Sequence, residues 1–193
     1  MFISSILAGL AIGIACILYC LAPNPIIGAG LFAVGLLAVL IMRTNLFTGK
    51  IQYLGKSLGV SDMFTILSGN IIGIGIMAAL ACFCFPTVLP IAANIGATKI
   101  AVPLIQTFGK AILCGYIMTL ATKPDTPLWV SAVCVFAFVY SGLNHCIADA
   151  FYYGLADSSL NKLLPFWITV LGNAIGGKVG GIYPSSSSII IAE

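Results

Sequence analysis

Charged side chains are scarce in this chain of 193 residues: eight Lys and Arg and five Asp and Glu make up 7% of it, against about a quarter in a soluble domain. So thin a supply cannot coat a water-facing exterior, and lipid is the expected solvent. The few cations stand singly rather than in a basic stripe, which excludes a nucleic-acid surface. Histidine is nearly absent, with His145 as its one instance. The seven cysteines lie inside apolar runs, odd in number and without CxxC spacing, and read as small buried hydrophobes rather than disulfides or metal ligands. No metal or cofactor is expected. The opening run, Ile3 to Leu21, lacks both a basic leader and an A-x-A-like cleavage site, so it reads as a membrane span rather than a secretion signal.

What the chain has in quantity is apolar sequence, 61% of its residues. Crossing about 30 Å of hydrocarbon takes roughly 20 helical residues. The runs that approach this length are Ile3–Leu21, Ile26–Met42, Met63–Phe85, Ile100–Ala121, Leu128–Leu143 and Leu163–Ile182. Turn chemistry separates them at Pro23-Asn24-Pro25, Ser57–Asp62, Pro86–Thr98, Lys123–Pro127 and Asp157–Asn161. The expected fold is an all-α integral membrane protein, a single transmembrane domain over 1–193 with six spans and both termini on one side.

Two of those spans are interrupted. Arg43-Thr44-Asn45 follows Met42, and Asn144-His145-Cys146 follows Leu143, each leading into a run too short to span alone. Polar, non-helical backbone at membrane depth persists only where protein or a cavity satisfies it, so the two breaks point to a solute path. They occupy matching places: Gly69-Asn70-Ile71-Ile72-Gly73 follows the first by about one span, and Gly172-Asn173-Ala174-Ile175-Gly176 follows the second likewise. With three spans per half, the second half (99–193) enters the membrane inverted relative to the first (1–98). The glycines serve close helix approach, and Asn70 and Asn173 can also bond the broken backbone. The basic residues nearly balance, Lys56 and Lys123 on the terminal side against Lys99 and Lys162 on the other.

In this order the motifs resemble the formate/nitrite transporter family, as a short member. Leu46-Phe47-Thr48-Gly49 is similar to the family's Leu-Phe-Thr loop in the second span, and Gly142-Leu143-Asn144-His145-Cys146-Ile147-Ala148-Asp149 to its Gly-x-acid-His-Ser-x-Ala-Asn break in the fifth. Lys110-Ala111-Ile112-Leu113-Cys114-Gly115 resembles its fourth-span segment, Lys99 its upstream lysine, and the Asn70 and Asn173 motifs its Gly-Asn pairs. Asn144 stands in place of an acid, Asp149 and Gly115 in place of asparagines, and Arg43 where the family often has a small residue. The resemblance implies an aquaporin-like protomer in the cell membrane, a homopentamer with one pore per subunit, and cytoplasmic termini. It also implies hydrophobic constrictions at Phe32, Leu36 and Phe138 on the cytoplasmic side and at Leu46, Phe47 and Met118 on the outer side. The substrate it implies is a small anion, open between formate, nitrite, hydrosulfide and a short carboxylate.

An ionisable residue within a membrane span is a functional candidate by default, which singles out His145. Asp149, one turn on, either supplies a negative charge beside it or complements the positive end of the following half-helix. Thr48 either bonds the imidazole across the pseudo-symmetric centre or caps its own half-helix. Both half-helices are expected to aim their positive ends at the centre, so that an anion meets Lys99, then the dipoles and His145. Arg43 reads as complementing the end of a half-span, while Lys110 and Lys178 need partners. Two other classes fit the sequence less well. A neutral-solute channel of aquaporin type lacks the paired Asn-Pro-Ala boxes. An enzyme using His145 with Asp149 lacks a second histidine, metal spacing or a nucleophile motif.

Overall fold

The computed structural model describes residues 1–182, and these are helical, with no β-strand among them. The helices are α1 (Phe2–Leu21), α2 (Pro25–Ile41), α3 (Phe47–Lys50), α4 (Val60–Cys84), α5 (Val88–Ile100), α6 (Leu104–Thr122), α7 (Leu128–Tyr140), α8 (Cys146–Leu155) and α9 (Leu163–Gly180). Three of them, α1, α4 and α6, are long and apolar enough to cross a membrane unaided. Large apolar side chains cover the outside, with Phe83, Ile105, Leu163 and Trp129 each at least 70% exposed. Such a surface is stable only in an apolar surrounding.

Local chemistry explains most boundaries. Asn24 caps α2 by accepting from the Ile27 N–H at 3.0 Å, with Pro25 in the first turn where no N–H is required. The Gly59 N–H donates to Asp62 Oδ2 at 2.8 Å and fixes the start of α4. One expectation is corrected here. The stretch Pro86–Thr98, read as a turn, contains α5, because Pro90 falls in the helix's first turn and breaks no ladder. The span read as Ile100–Ala121 begins at Leu104, since Pro103 holds an extended φ of −53° and ψ of 136° and disfavours helix in the residue before it. The boundary placed at 98/99 therefore lies within α5, and the half 99–193 runs beyond the described residues.

The two interruptions are built alike. After α2, the N–H groups of Arg43 and Thr44 donate to Leu40 O and Val39 O at 3.2 and 3.0 Å; after α7, those of Gly142 and Leu143 donate to Val139 O and Phe138 O at 3.0 Å each. Both closures need a left-handed residue, and the chain places Arg43 (φ 53°) in one and Gly142 (φ 64°) in the other. Only glycine takes this conformation freely, so Arg43 holds it at a cost of roughly 1 kcal/mol.

Beyond each break an asparagine from a neighbouring helix gathers the loose backbone. Asn70 Oδ1 accepts from the Phe47 N–H at 2.8 Å, and its amide donates to Ser5 O and Asn45 O at 2.7 and 2.9 Å. Asn173 repeats this with the Cys146 N–H, Ala111 O and Asn144 O, all at 2.8 Å. Both asparagines are fully buried, where unpaired backbone would be costly.

Glycines bring the asparagine-bearing helices close, α4 against α1 and α9 against α6. A Cβ at Gly73 would lie 2.3 Å from Ile6 O, and one at Gly176 2.0 Å from Ile112 O, with backbone as the obstacle in each case. Gly176→Ala must therefore part α6 from α9. We expect it to destabilise the protein by about 2 kcal/mol or more, seen as a lower midpoint of thermal unfolding in detergent. An unchanged midpoint would mean that the helices are not packed this tightly.

Candidate functional site

Two cavities approach the breaks and share no lining residue. One, of about 490 Å³, lies among the last turn of α2, α3 and the α6–α7 loop, and Leu46 lines it. The other, of about 320 Å³, lies among α5, α7 and α8, and His145 lines it. Leu46 and His145 hold the same position in the two interruptions, immediately before α3 and α8. Between the cavities Leu36, Phe47, Thr48 and Met118 are buried and line neither.

His145 is the N-cap of α8. Its Nδ1 accepts from the Ala148 N–H at 3.2 Å, which leaves the ring hydrogen on Nε2, 2.9 Å from Thr48 Oγ1. Thr48 itself lies inside α3, whose N-cap is Leu46, so its hydroxyl is no cap. Phe138 stacks on the imidazole with centroids 5.5 Å apart, and Phe32 meets Phe138 edge-on at 6.0 Å. Phe32, Phe138 and the imidazole thus form one aromatic column along the second cavity.

Asp149 is buried in the first turn of α8, where its charge complements the positive helix end, and it makes no bond to the imidazole. Its Oδ1 pairs with Lys99 Nζ at 3.0 Å, and its Oδ2 accepts from Asn144 Nδ2 at 2.8 Å. Lys99 also donates to Leu143 O at 3.2 Å. The carboxylate therefore balances the lysine and braces the second break, and the bond to the imidazole is left to Thr48. Lys99 reaches this place because α5 packs along α8.

Two further corrections concern geometry. Phe32 and Phe138 were expected on the side opposite Lys99, with Leu46 on the lysine side. Phe32, Phe138 and Lys99 instead line one cavity and Leu46 the other. The reason is the direction of α2: it starts beside Tyr19, which lines the second cavity, and only its last turn, at Val39 and Leu40, reaches the first. The positive helix ends are also unequal, for α3 has four residues where α8 has ten, so any dipole contribution rests on α8.

Of the intramembrane lysines, Lys178 donates to Leu54 O, while Lys110 lines the second cavity with Lys99. Asn94 and Thr98 line that cavity too, and reading their segment as a turn hid them. Their spacing from each other and from Ile95 and Lys99 is that of a helix face, the one signal that would have revealed them. Among the described residues no cluster of His, Cys, Asp and Glu could hold a metal ion.

The family described as Formate/nitrite transporter matches residues 1–184. The nitrite transporter NirC of Escherichia coli (strain K12) is 27% identical over 216 residues, covering 92% of this chain and 79% of that protein. NirC of Salmonella typhimurium is 28% identical over 218 residues with the same coverage, 92% and 79%. Among solved structures, an FNT family ion channel superposes with a TM-score of 0.77 at 24% identity, covering 100% of this chain and 89% of that one. A pentameric formate channel with formate bound gives 0.73 at 23% identity, covering 99% and 93%. These last two are likenesses of fold.

Proposed function

We propose, for a chain that belongs to the formate/nitrite transporter family, that it carries small monovalent anions or their conjugate acids across the cell membrane, past a central histidine that lends a proton. The observation that carries this reading is the buried His145, with its Nε2 hydrogen directed at Thr48 between two cavities. A bare anion crossing the apolar stretch around Leu36, Leu46 and Phe47 would lose its hydration without replacement. An anion drawn in by Lys99 and Lys110 can instead take a proton from the imidazolium form of His145, which returns to the neutral ring and is reprotonated from solvent, or from water polarised at Nε2, and cross as the neutral acid. The bond to Thr48 keeps that hydrogen in place.

In this reading α2 with α3, and α7 with α8, each form one interrupted crossing, so that the chain passes the bilayer six times as an inverted repeat. The matching Asn70 and Asn173 clamps support it. The termini are cytoplasmic, the Leu46 cavity opens on their side, and five copies assemble with one path in each. The formate channel, pentameric by its description, supports that assembly. Formate, nitrite, hydrosulfide and acetate should enter liposomes containing the protein faster at acid than at neutral external pH. In mild detergent, native mass spectrometry should report a pentamer. Absence of anion flux at both pH values would refute the transport reading, and a stable monomer the assembly.

A further inference from the structure

We infer that the Leu46-side cavity holds a recruiting site for two-oxygen anions, centred on Arg43. The inference rests on the anion-transport reading and adds a binding residue to it.

The first observation is conformational. Arg43 and Gly142 close the two breaks through matching backbone bonds at φ 53° and 64°. The closure calls for glycine, and one half has it. A side chain kept in a left-handed conformation against that preference marks a site where the surroundings and a function hold it.

The second observation is where the side chain stands. Arg43 is exposed and lines the cavity, and its guanidinium has no hydrogen bond or ion pair to another described residue. Lys50 and Lys123 line the same cavity, and among the described residues no Asp or Glu does. The opposite cavity has a carboxylate in its lining, Asp149, beside Lys99.

A third observation weakens the simpler account, in which Arg43 merely complements the end of α2. Its guanidinium bonds none of the terminal carbonyls, and α7 ends in the same geometry with no cation in its last turn. A lysine or arginine inside the last turn of α2 would serve the dipole without the strained φ.

Guanidinium offers parallel N–H donors in a fixed fork, which matches a carboxylate or nitrite through both oxygens. An anion with one acceptor atom, such as hydrosulfide, can take only a point charge from it. Arg43 is thus placed to concentrate two-oxygen anions where the path begins on this side.

The test is concentration-dependent flux of formate, nitrite and hydrosulfide in liposomes for wild type, Arg43→Gly and Arg43→Lys. For Arg43→Gly, the half-saturating concentrations of formate and nitrite should rise about tenfold relative to that of hydrosulfide, the loss of one charge-assisted bidentate contact. Arg43→Lys should recover less than half of that ratio. Arg43→Gly should also unfold at a higher temperature, since it relieves the backbone. An unchanged formate-to-hydrosulfide ratio in Arg43→Gly, or full recovery by Arg43→Lys, would overturn the inference. So would a lower unfolding temperature, which would make Arg43 a structural residue. Failure of the transport reading itself would look different: wild type would carry none of the three anions.

Discussion

Lys99→Met is expected to destabilise the protein by about 3–5 kcal/mol, more than Asp149→Asn, although both break the same ion pair. The difference lies in what each variant leaves behind. The Asp149 side chain is 1% exposed, so without Lys99 its carboxyl group is left in the protein interior with only the Asn144 amide beside it and no partner for its charge. The Lys99 side chain is 19% exposed and lines a cavity, so without Asp149 it can turn toward solvent. Removing both charges together, as Lys99→Met with Asp149→Asn, should restore most of the lost stability, because a buried pair replaced as a unit leaves no orphan. Thermal unfolding in detergent, with size-exclusion profiles to score assembly, reads all three. If Lys99→Met unfolds at the wild-type temperature, the pair does not hold the second break in place. The double variant, once folded, also isolates the part Lys99 plays in drawing anions, free of its structural effect.

The positions of the breaks were legible because polar residues are rare in this chain. Arg43-Thr44-Asn45 and Asn144-His145 interrupt apolar runs, and each is answered one span later by a GNxxG segment. The reason for the answer, two asparagines each bonding one N–H and two carbonyls, needs the folded geometry but agrees with the need to satisfy broken backbone in lipid. Less legible was α5. Thirteen residues with a proline near the start resemble a turn in composition, and only their packing against α8 makes them a helix that carries Lys99 to the site.

Pairings across helices were harder still. Asp149 sits one turn from His145 along α8, and sequence spacing joins the two, yet the carboxylate meets Lys99 from α5 and Asn144 from the preceding break. Spacing along one helix cannot reveal which partner a second helix brings. The same limit reversed the sides of the aromatic constriction. Residue order along α2 does not say which end faces which cavity until the turn at 22–24 is placed.

Replacing His145 with Asn should lower formate and nitrite flux by about 100-fold, the lower end of the range for losing a positioned general acid. Flux compared at equal concentrations of undissociated acid should also lose its dependence on external pH. The choice of Asn separates chemistry from architecture. Asparagine is among the best N-cap residues, so its side-chain oxygen can accept from the Ala148 N–H as Nδ1 does now and hold the start of α8. What the substitution removes is the imidazole, and with it the Nε2 hydrogen that points at Thr48. Thr48→Val, which nearly preserves shape but cannot accept that hydrogen, should reduce flux less and keep the pH dependence, since the imidazole is still present when its orientation is loosened. A His145→Asn protein that folds, assembles and transports with the wild-type pH profile would mean that the proton comes from water alone. The imidazole would then be a cap for α8 and a partner for Phe138, and selectivity would fall to the cations lining the two cavities.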